Sequence, residues 1–247
     1  MERGLYIAAS GMLAEQVRQD ILSNDLANAS TPGYKPDNAE QASFSDLLLW
    51  NSNTGAQVGS LSMGSRITKV VTDLAQGPLQ STGNPLDVAL EGSGFFAVST
   101  SAGVRYTRDG EFIADGNGRL TTDTGDLVLG TSGKPINVGL GTDPSKISID
   151  PRGTVKVGNR TVGTLAVMSL TGAAKQGDTL FSGTPGVRPA ATTVVQGSLE
   201  GSGVQPAEAM VEMVVSFRSY ETTQRAIQTI DTELGKAAGS VGSATGD

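Results

Sequence analysis

The chain has 247 residues, 37% of them apolar and only 4% aromatic, which allows one large or two modest domains around a thin, aliphatic core. Cysteine and histidine are both absent, which removes a disulfide framework, thiolate and most zinc sites, cysteine nucleophiles and Ser-His-Asp catalysis. The net charge is −7, no Lys/Arg block resembles a nucleic-acid footprint, and no apolar run is long enough to span a membrane.

The first predicted element is a long amphipathic helix from residue 3 to about 28. Leu5, Ala8, Met12, Leu22 and Leu26 follow steps of three and four, with Glu15 and Gln19 as polar interruptions. Ala9, Leu13, Val17 and Ile21 make a second row at spacing four. Two adjacent rows form an apolar face wider than one coiled-coil seam. The helix starts without a basic region of useful size, which argues against a cleavable secretory signal. It stops before Pro32-Gly33, where both residues oppose continuation, and Asn24 and Asn28 can satisfy its terminal backbone groups.

Residues 36–80 read as an extended connector. Phe44 and Leu47 to Trp50 form an apolar knot, residues 51–64 a polar loop or hairpin tip, and Ile67 to Thr72 a strand. Residues 81–204 carry short strands between glycine-rich turns, the pattern of an antiparallel barrel-like or sandwich domain. Asp87 to Glu91 and Phe95 to Val98 flank Gly92-Ser93-Gly94. Asp109-Gly110 reads as a hairpin-type turn between Tyr106-Thr107-Arg108 and Glu111-Phe112-Ile113. Ile147 to Ile149 and Thr154 to Val157 flank another turn, and Gly163 to Met168 reads as one further strand.

A second long helix is expected over residues 205–238, opening at Pro206 with Glu208 and Glu212 near its positive end. Met210, Met213, Phe217, Tyr220, Gln224, Ile227, Asp231 and Leu234 repeat every 3.5 residues, the coiled-coil period. Residues 239–247, small and polar, are expected to be a flexible tail. The fold class expected is therefore mixed α and β: terminal helices pairing as a coiled-coil-like domain, with an antiparallel β-rich centre.

Several chemical readings are weak. Gly92-Ser93-Gly94 lacks the following helix that a phosphate loop needs. Asp115, Asn117 and Asp126 lack calcium-loop spacing and suit turns. Glu91 and Glu111 have nothing in the sequence to bring them into one cleft, as a wall hydrolase would require. Met210, Met213 and Phe217 at helical spacing read as packing residues rather than a cofactor groove. Each large apolar side chain left open forfeits roughly 1.5–3 kcal/mol of burial, so the wide face of the first helix calls for a partner beyond the second helix. The candidate assembly interface is Leu5, Met12, Leu13, Leu22, Asn24, Leu26, Asn28, Pro32, Gly33 and Tyr34 at one end, with Met210, Met213, Phe217, Tyr220, Ile227 and Leu234 at the other. No catalytic, cofactor or metal residue is assigned.

Four blocks in order resemble the bacterial flagellar rod and hook proteins. They are Ser23 to Lys35, including Thr31-Pro32-Gly33-Tyr34-Lys35; Thr82 to Val98; Tyr106 to Phe112 with Gly118-Arg119-Leu120 and residues 125–130; and Leu199-Glu200-Gly201-Ser202-Gly203-Val204 leading into the last helix. Gly203 stands where the family usually has asparagine. The resemblance implies a structural subunit of the basal-body rod, without enzymatic activity or cofactor. It implies a helical inner domain lining an axial tube, a connector and an outer β domain, with boundaries at 1–35, 36–80, 81–204, 205–238 and 239–247. It also implies partners: other copies of the chain, other rod and hook-junction subunits, and the flagellar export apparatus. The location implied is the basal body, periplasmic where an outer membrane exists. Leu199-Glu200-Gly201-Ser202 and the short segment between Leu48 and Ile67 favour the proximal-rod type. The alternatives are a distal-rod or hook-type subunit and, from other classes, a monomeric binding module or a carboxylate-dependent wall hydrolase.

Overall fold

The structure is a computed structural model that describes residues 2–44, 47–50, 57–61 and 64–244. The chain divides into two compact units: Met1–Leu26, Asp37–Val71 and Pro206–Asp247 form one, and Ala27–Pro36 with Thr72–Gln205 the other.

In the first unit, helix α1 spans Glu2–Ala27 and helix α2 spans Pro206–Ala244. Both lack internal proline and are rich in straight-chain residues and alanine, so local preference and apolar spacing agree. The two run antiparallel. Ser216 Oγ of α2 donates to Glu15 Oε2 of α1 at 2.7 Å, Arg18 faces Glu212 at 3.7 Å, and a Cβ placed on Gly4 would meet Ile230 at 3.6 Å. Helix α2 continues to Ala244, past the end expected at residue 238. Strand Asp37–Ser43 pairs with Ser65–Thr72 in a two-stranded ribbon of the same unit. Residues 57–61, expected as part of a polar loop or hairpin tip, form strand Gln57–Leu61, antiparallel to Leu47–Trp50. The remainder of that expected loop, residues 51–56 and 62–63, lies outside the described residues, as do residues 245–247 of the expected tail.

The second unit is antiparallel β. Its eight-stranded sheet runs Leu170–Lys175, Leu180–Pro185, Gly103–Thr107, Phe95–Thr100, Leu127–Val128, Leu120–Thr122 and Phe112–Ala114, with Val167–Met168 also on Phe95–Thr100. A three-stranded sheet of Ile147–Ile149, Thr154–Val157 and Arg160–Thr164, and the pair Val88–Glu91 with Thr193–Gln196, complete the main layers. The core between them is aliphatic with two phenylalanines: Val88, Leu90, Phe96, Val98, Phe112, Leu120, Val128, Val155 and Leu165 are all buried. Phe96 and Phe112 meet edge to face at 5.2 Å, a favoured aromatic geometry.

Two sequence expectations are corrected here. Asp109-Gly110 is not the turn of a hairpin, because Gly103–Thr107 pairs with Phe95–Thr100 while Phe112–Ala114 pairs with Leu120–Thr122. The dipeptide is a buried crossing. Gly110 O accepts from Val88 N at 3.0 Å, and a Cβ on Gly110 would lie 1.6 Å from Val88 O. Close approach demands the glycine, and a hairpin is not involved. The single strand expected over Gly163 to Met168 is two, because Leu165 and Ala166 leave one sheet to join the other.

Candidate functional site

The residues singled out in the sequence fall into two settings, one in each unit. The first is the surface of the terminal helices. On α1 the row Leu5, Ala8, Met12, Glu15, Gln19, Leu22 and Leu26 is buried or half-buried, and Glu15 is among the residues that meet α2. The second row is mostly open: Ala9 is exposed, Leu13 is 65% exposed, Val17 is 38% exposed, and Ile21 alone is half-buried. The two rows thus have different tasks, one turned inward in the unit and one left on its surface.

On α2 the buried seam differs from the one read in the sequence. Met213, Tyr220, Ile227 and Leu234 belong to it, half-buried. Their alternating partners are Ala209, Ser216, Thr223 and Ile230, not Met210, Phe217, Gln224 and Asp231. Small side chains at three of these four positions let α2 lie close, and Ser216 is satisfied by Glu15, whose carboxylate and backbone carbonyl it can reach. The larger side chains are displaced outward. Met210, Val211, Val214, Val215 and Phe217 are 50–64% exposed. Of the remaining candidates, Asn24 is exposed while Asn28 and Pro32 are half-buried, and Thr31 Oγ1 donates to Asn28 Oδ1 at 3.1 Å in the turn that ends α1.

The second setting is a buried ion cluster in the β-rich unit. Gly33, Tyr34 and Lys35 are buried against their own chain. Gly33 has φ +68°, and a Cβ there would sit 2.4 Å from the Arg108 carbonyl carbon, so this position needs glycine twice over. Gly33 N donates to Glu200 O at 2.8 Å, and Gly203 N donates to Tyr34 O at 2.9 Å. The Lys175 ammonium stands 3.9 Å above the Tyr34 ring and donates to Lys35 O at 2.8 Å. The Lys35 ammonium reaches Glu200 Oε1 and Ala75 O, and Gly77 N donates to the same carboxylate oxygen at 2.8 Å. Arg108 completes the cluster by donating to Glu200 Oε2 at 3.0 Å and to Gly92 O at 2.9 Å, with its guanidinium 5.2 Å over Phe95.

The electrostatics state what this cluster costs. Burial holds the Lys35 ammonium below the usual lysine range, even though Glu200 pulls it the other way. Desolvation, with repulsion from the Arg108 cation, outweighs the pull of Glu200 on this ammonium. Nearby, burial pushes the Asp109 carboxyl up to about 6, with Asp123, Glu111 and Asp87 adding repulsion against the hydrogen bond from Glu111 N. The weaker chemical candidates have ordinary structural tasks. Asp115 accepts from the backbone N–H groups of Asn117 and Arg119, each at 2.8 Å, and Glu91 accepts from Thr193 at 3.1 Å. Gly92-Ser93-Gly94 joins two strands.

Sequence reading did not find Lys35, Arg108 and Glu200 as a group. Their only signal was membership of three separate blocks, which the fold brings to one point. Val211, Val214 and Val215 were also missed, because the heptad chosen for α2 passed beside them.

Residues 5–35 match the family of flagella basal body rod proteins, residues 89–157 the D1 domain of the flagellar hook proteins FlgE/F/G, and residues 195–239 the C-terminal region of the flagellar basal body rod FlgEFG proteins. The chain is 31% identical to the flagellar hook-basal body complex protein FlhO of Bacillus subtilis (strain 168), covering 98% of this chain and 99% of that one. It is 32% identical to the flagellar basal-body rod protein FlgF of Caulobacter vibrioides, covering 91% and 92%. It is 34% identical to the flagellar basal-body rod protein FlgG of Borreliella burgdorferi, covering 96% and 98%. With every block in order and coverage nearly end to end, the chain belongs to the flagellar basal-body rod protein family.

Proposed function

We propose that this rod-family subunit polymerises through the exposed apolar faces of its terminal helices, with other copies and with neighbouring rod and hook-junction subunits as partners. The observation that carries the reading is the row of half-exposed side chains Met210, Val211, Val214, Val215 and Phe217 on α2. A contiguous apolar face of this kind on a soluble unit marks a contact surface. Each such side chain stands to gain on the order of 1 kcal/mol when a neighbour covers its open half. Gly33 and Tyr34, by contrast, act inside their own unit and shape the subunit.

We assign the chain no catalytic role; its task is packing, which resists bending and slip because dense apolar contacts are poorly compressible. It is a substrate of the flagellar export apparatus and has no nucleic-acid partner. No helix among the described residues is long and apolar enough to cross a membrane. The proximal-rod type is supported by length. The alignment with the Caulobacter protein named FlgF spans 237 residues, while that with the Borreliella protein named FlgG spans 277, so the latter carries insertions relative to this chain.

The test uses Phe217→Asp in the full chain. Helix content and the unfolding of the β-rich unit stay unchanged, because Phe217 is 54% exposed. Incorporation into basal bodies is lost, because assembly would bury an unpaired carboxylate at a cost of several kcal/mol. Normal incorporation of the variant would overturn the reading.

A further inference from the structure

The helical unit holds a second apolar feature that the helix seam does not use. Between α1 and the ribbon formed by Asp37–Ser43 and Ser65–Thr72 lies an open groove of about 310 Å³. Its walls are Tyr6, Leu13 and Val17 of α1, with Phe44 and Ile67 opposite. Tyr6 and Phe44 meet at 6.3 Å between ring centroids, joining the two walls. Arg66 lies over Phe44 at 5.6 Å and sets a positive charge at the rim. Leu13 and Tyr6 are 65% and 56% exposed, so among the described residues the groove is an uncovered surface.

On the other helix of the same unit stands a ridge. Met210, Val214 and Phe217 are spaced four and three residues apart and so project along one line of α2. The next residue on that line is Glu221, exposed and paired with Arg225 one turn on. An exposed pair of that type is worth little and is readily exchanged.

We infer that the groove of one copy receives the Met210–Val214–Phe217 ridge of α2 from a second copy of the chain, with Glu221 of the incoming ridge meeting Arg66 at the rim. Three observations select this occupant. The groove is lined mostly by apolar side chains, the chemical complement of an apolar ridge. The charges are complementary, a cation beside the groove and a carboxylate at the end of the ridge. Both partners sit on one polypeptide, so every added copy supplies the groove for the next ridge. A contact between two different patches propagates where a self-matched patch closes at two. This inference rests on the assembly reading above and adds to it which surfaces meet.

The absence of cysteine in the chain provides the test. Two full-length variants are made, Leu13→Cys and Phe217→Cys, both at exposed positions that leave the fold intact. They are mixed at equal concentration under assembly conditions and oxidised. Disulfides form only where the two Cα atoms come within about 7 Å. Mixed dimers dominating over both homodimers is the expected result. Assembly with Phe217–Phe217 homodimers alone would overturn the groove and leave polymerisation standing, and so would assembly without any cross-link. A chain that stays monomeric at every concentration would overturn the assembly reading itself. An independent check is Arg66→Glu, which weakens self-association, with recovery by Glu221→Arg in the same chain; failure of that recovery counts against the contact at the rim.

Discussion

The two units of this chain treat apolar side chains in opposite ways. In the β-rich unit Val88, Leu90, Phe96, Val98 and Leu120 are fully buried, and even Lys35, Arg108 and Glu200 lie out of water. In the helical unit Leu13, Met210, Val211, Val215 and Phe217 each remain half or more exposed. The first unit to be completed is closed by its own residues; the other is left open. The difference teaches that the β-rich unit closes its own core, while the helical unit keeps large apolar side chains on its surface. A closed unit can be broken by removing one internal partner. An open unit can be changed at its surface without loss of the fold.

The largest expected effect tests the closed unit. Glu200→Gln removes the carboxylate that Lys35 and Arg108 share and replaces an acceptor oxygen facing Gly77 N or the cations with a donor. Two buried cations then lack their counter-charge, and the β-rich unit loses about 3–5 kcal/mol. Urea unfolding followed by circular dichroism measures it. A loss below about 1 kcal/mol, the worth of an exposed pair, would show that the cluster is effectively solvated.

A smaller effect of opposite sign comes from the neighbouring carboxyl. Asp109 has a folded-state value of about 6 against an ordinary 3.8, chiefly through burial. The fold therefore prefers it protonated, and its ionisation withdraws stability as pH rises through about 6. Asp109→Asn keeps the acceptor for Glu111 N and removes the charge, so at pH 7.5 it stabilises the unit by about 3 kcal/mol. The gain shrinks as pH falls through 6 and is nearly gone at 4, where the native group is itself neutral. A gain that does not depend on pH would contradict the buried-charge account.

How much of this was legible in the sequence follows the range of each interaction. The helices, their two apolar rows and the short antiparallel strands are local patterns of period 3.6 or 2, and they were read from spacing alone. Which row of α1 turns inward was not local, because Leu5-Met12-Leu26 and Ala9-Leu13-Val17 are equally apolar. On α2 two heptad registers differ by a single residue. Bulk favours the one through Met210 and Phe217, whereas the structure uses Ala209 and Ser216, because small residues permit close approach. Asp109-Gly110 has the composition of a hairpin turn, and only the position of Val88 O shows that it is a tight crossing. Lys35 and Glu200 meet across most of the chain, and no periodicity connects them.

The smallest expected effect tests which side of the open unit the next copy covers. Gly11 lies in the middle of α1, where a glycine costs roughly 0.5–1 kcal/mol relative to alanine. Among the described residues a Cβ there would meet nothing within 4 Å, so no contact with them explains the glycine. It opens instead on a surface hollow of about 610 Å³, lined also by Ile7, Ala8, Gln41 and Thr223 of the same unit. Gly11→Ala should therefore raise the helix signal and stabilise the isolated helical unit by about 0.5–1 kcal/mol, read from thermal unfolding at 222 nm. If a neighbouring copy packs into that hollow, the added methyl group weakens assembly at the same time. Stabilisation with undiminished assembly would place the next subunit elsewhere on the open unit, on the side of Leu13 and Phe217.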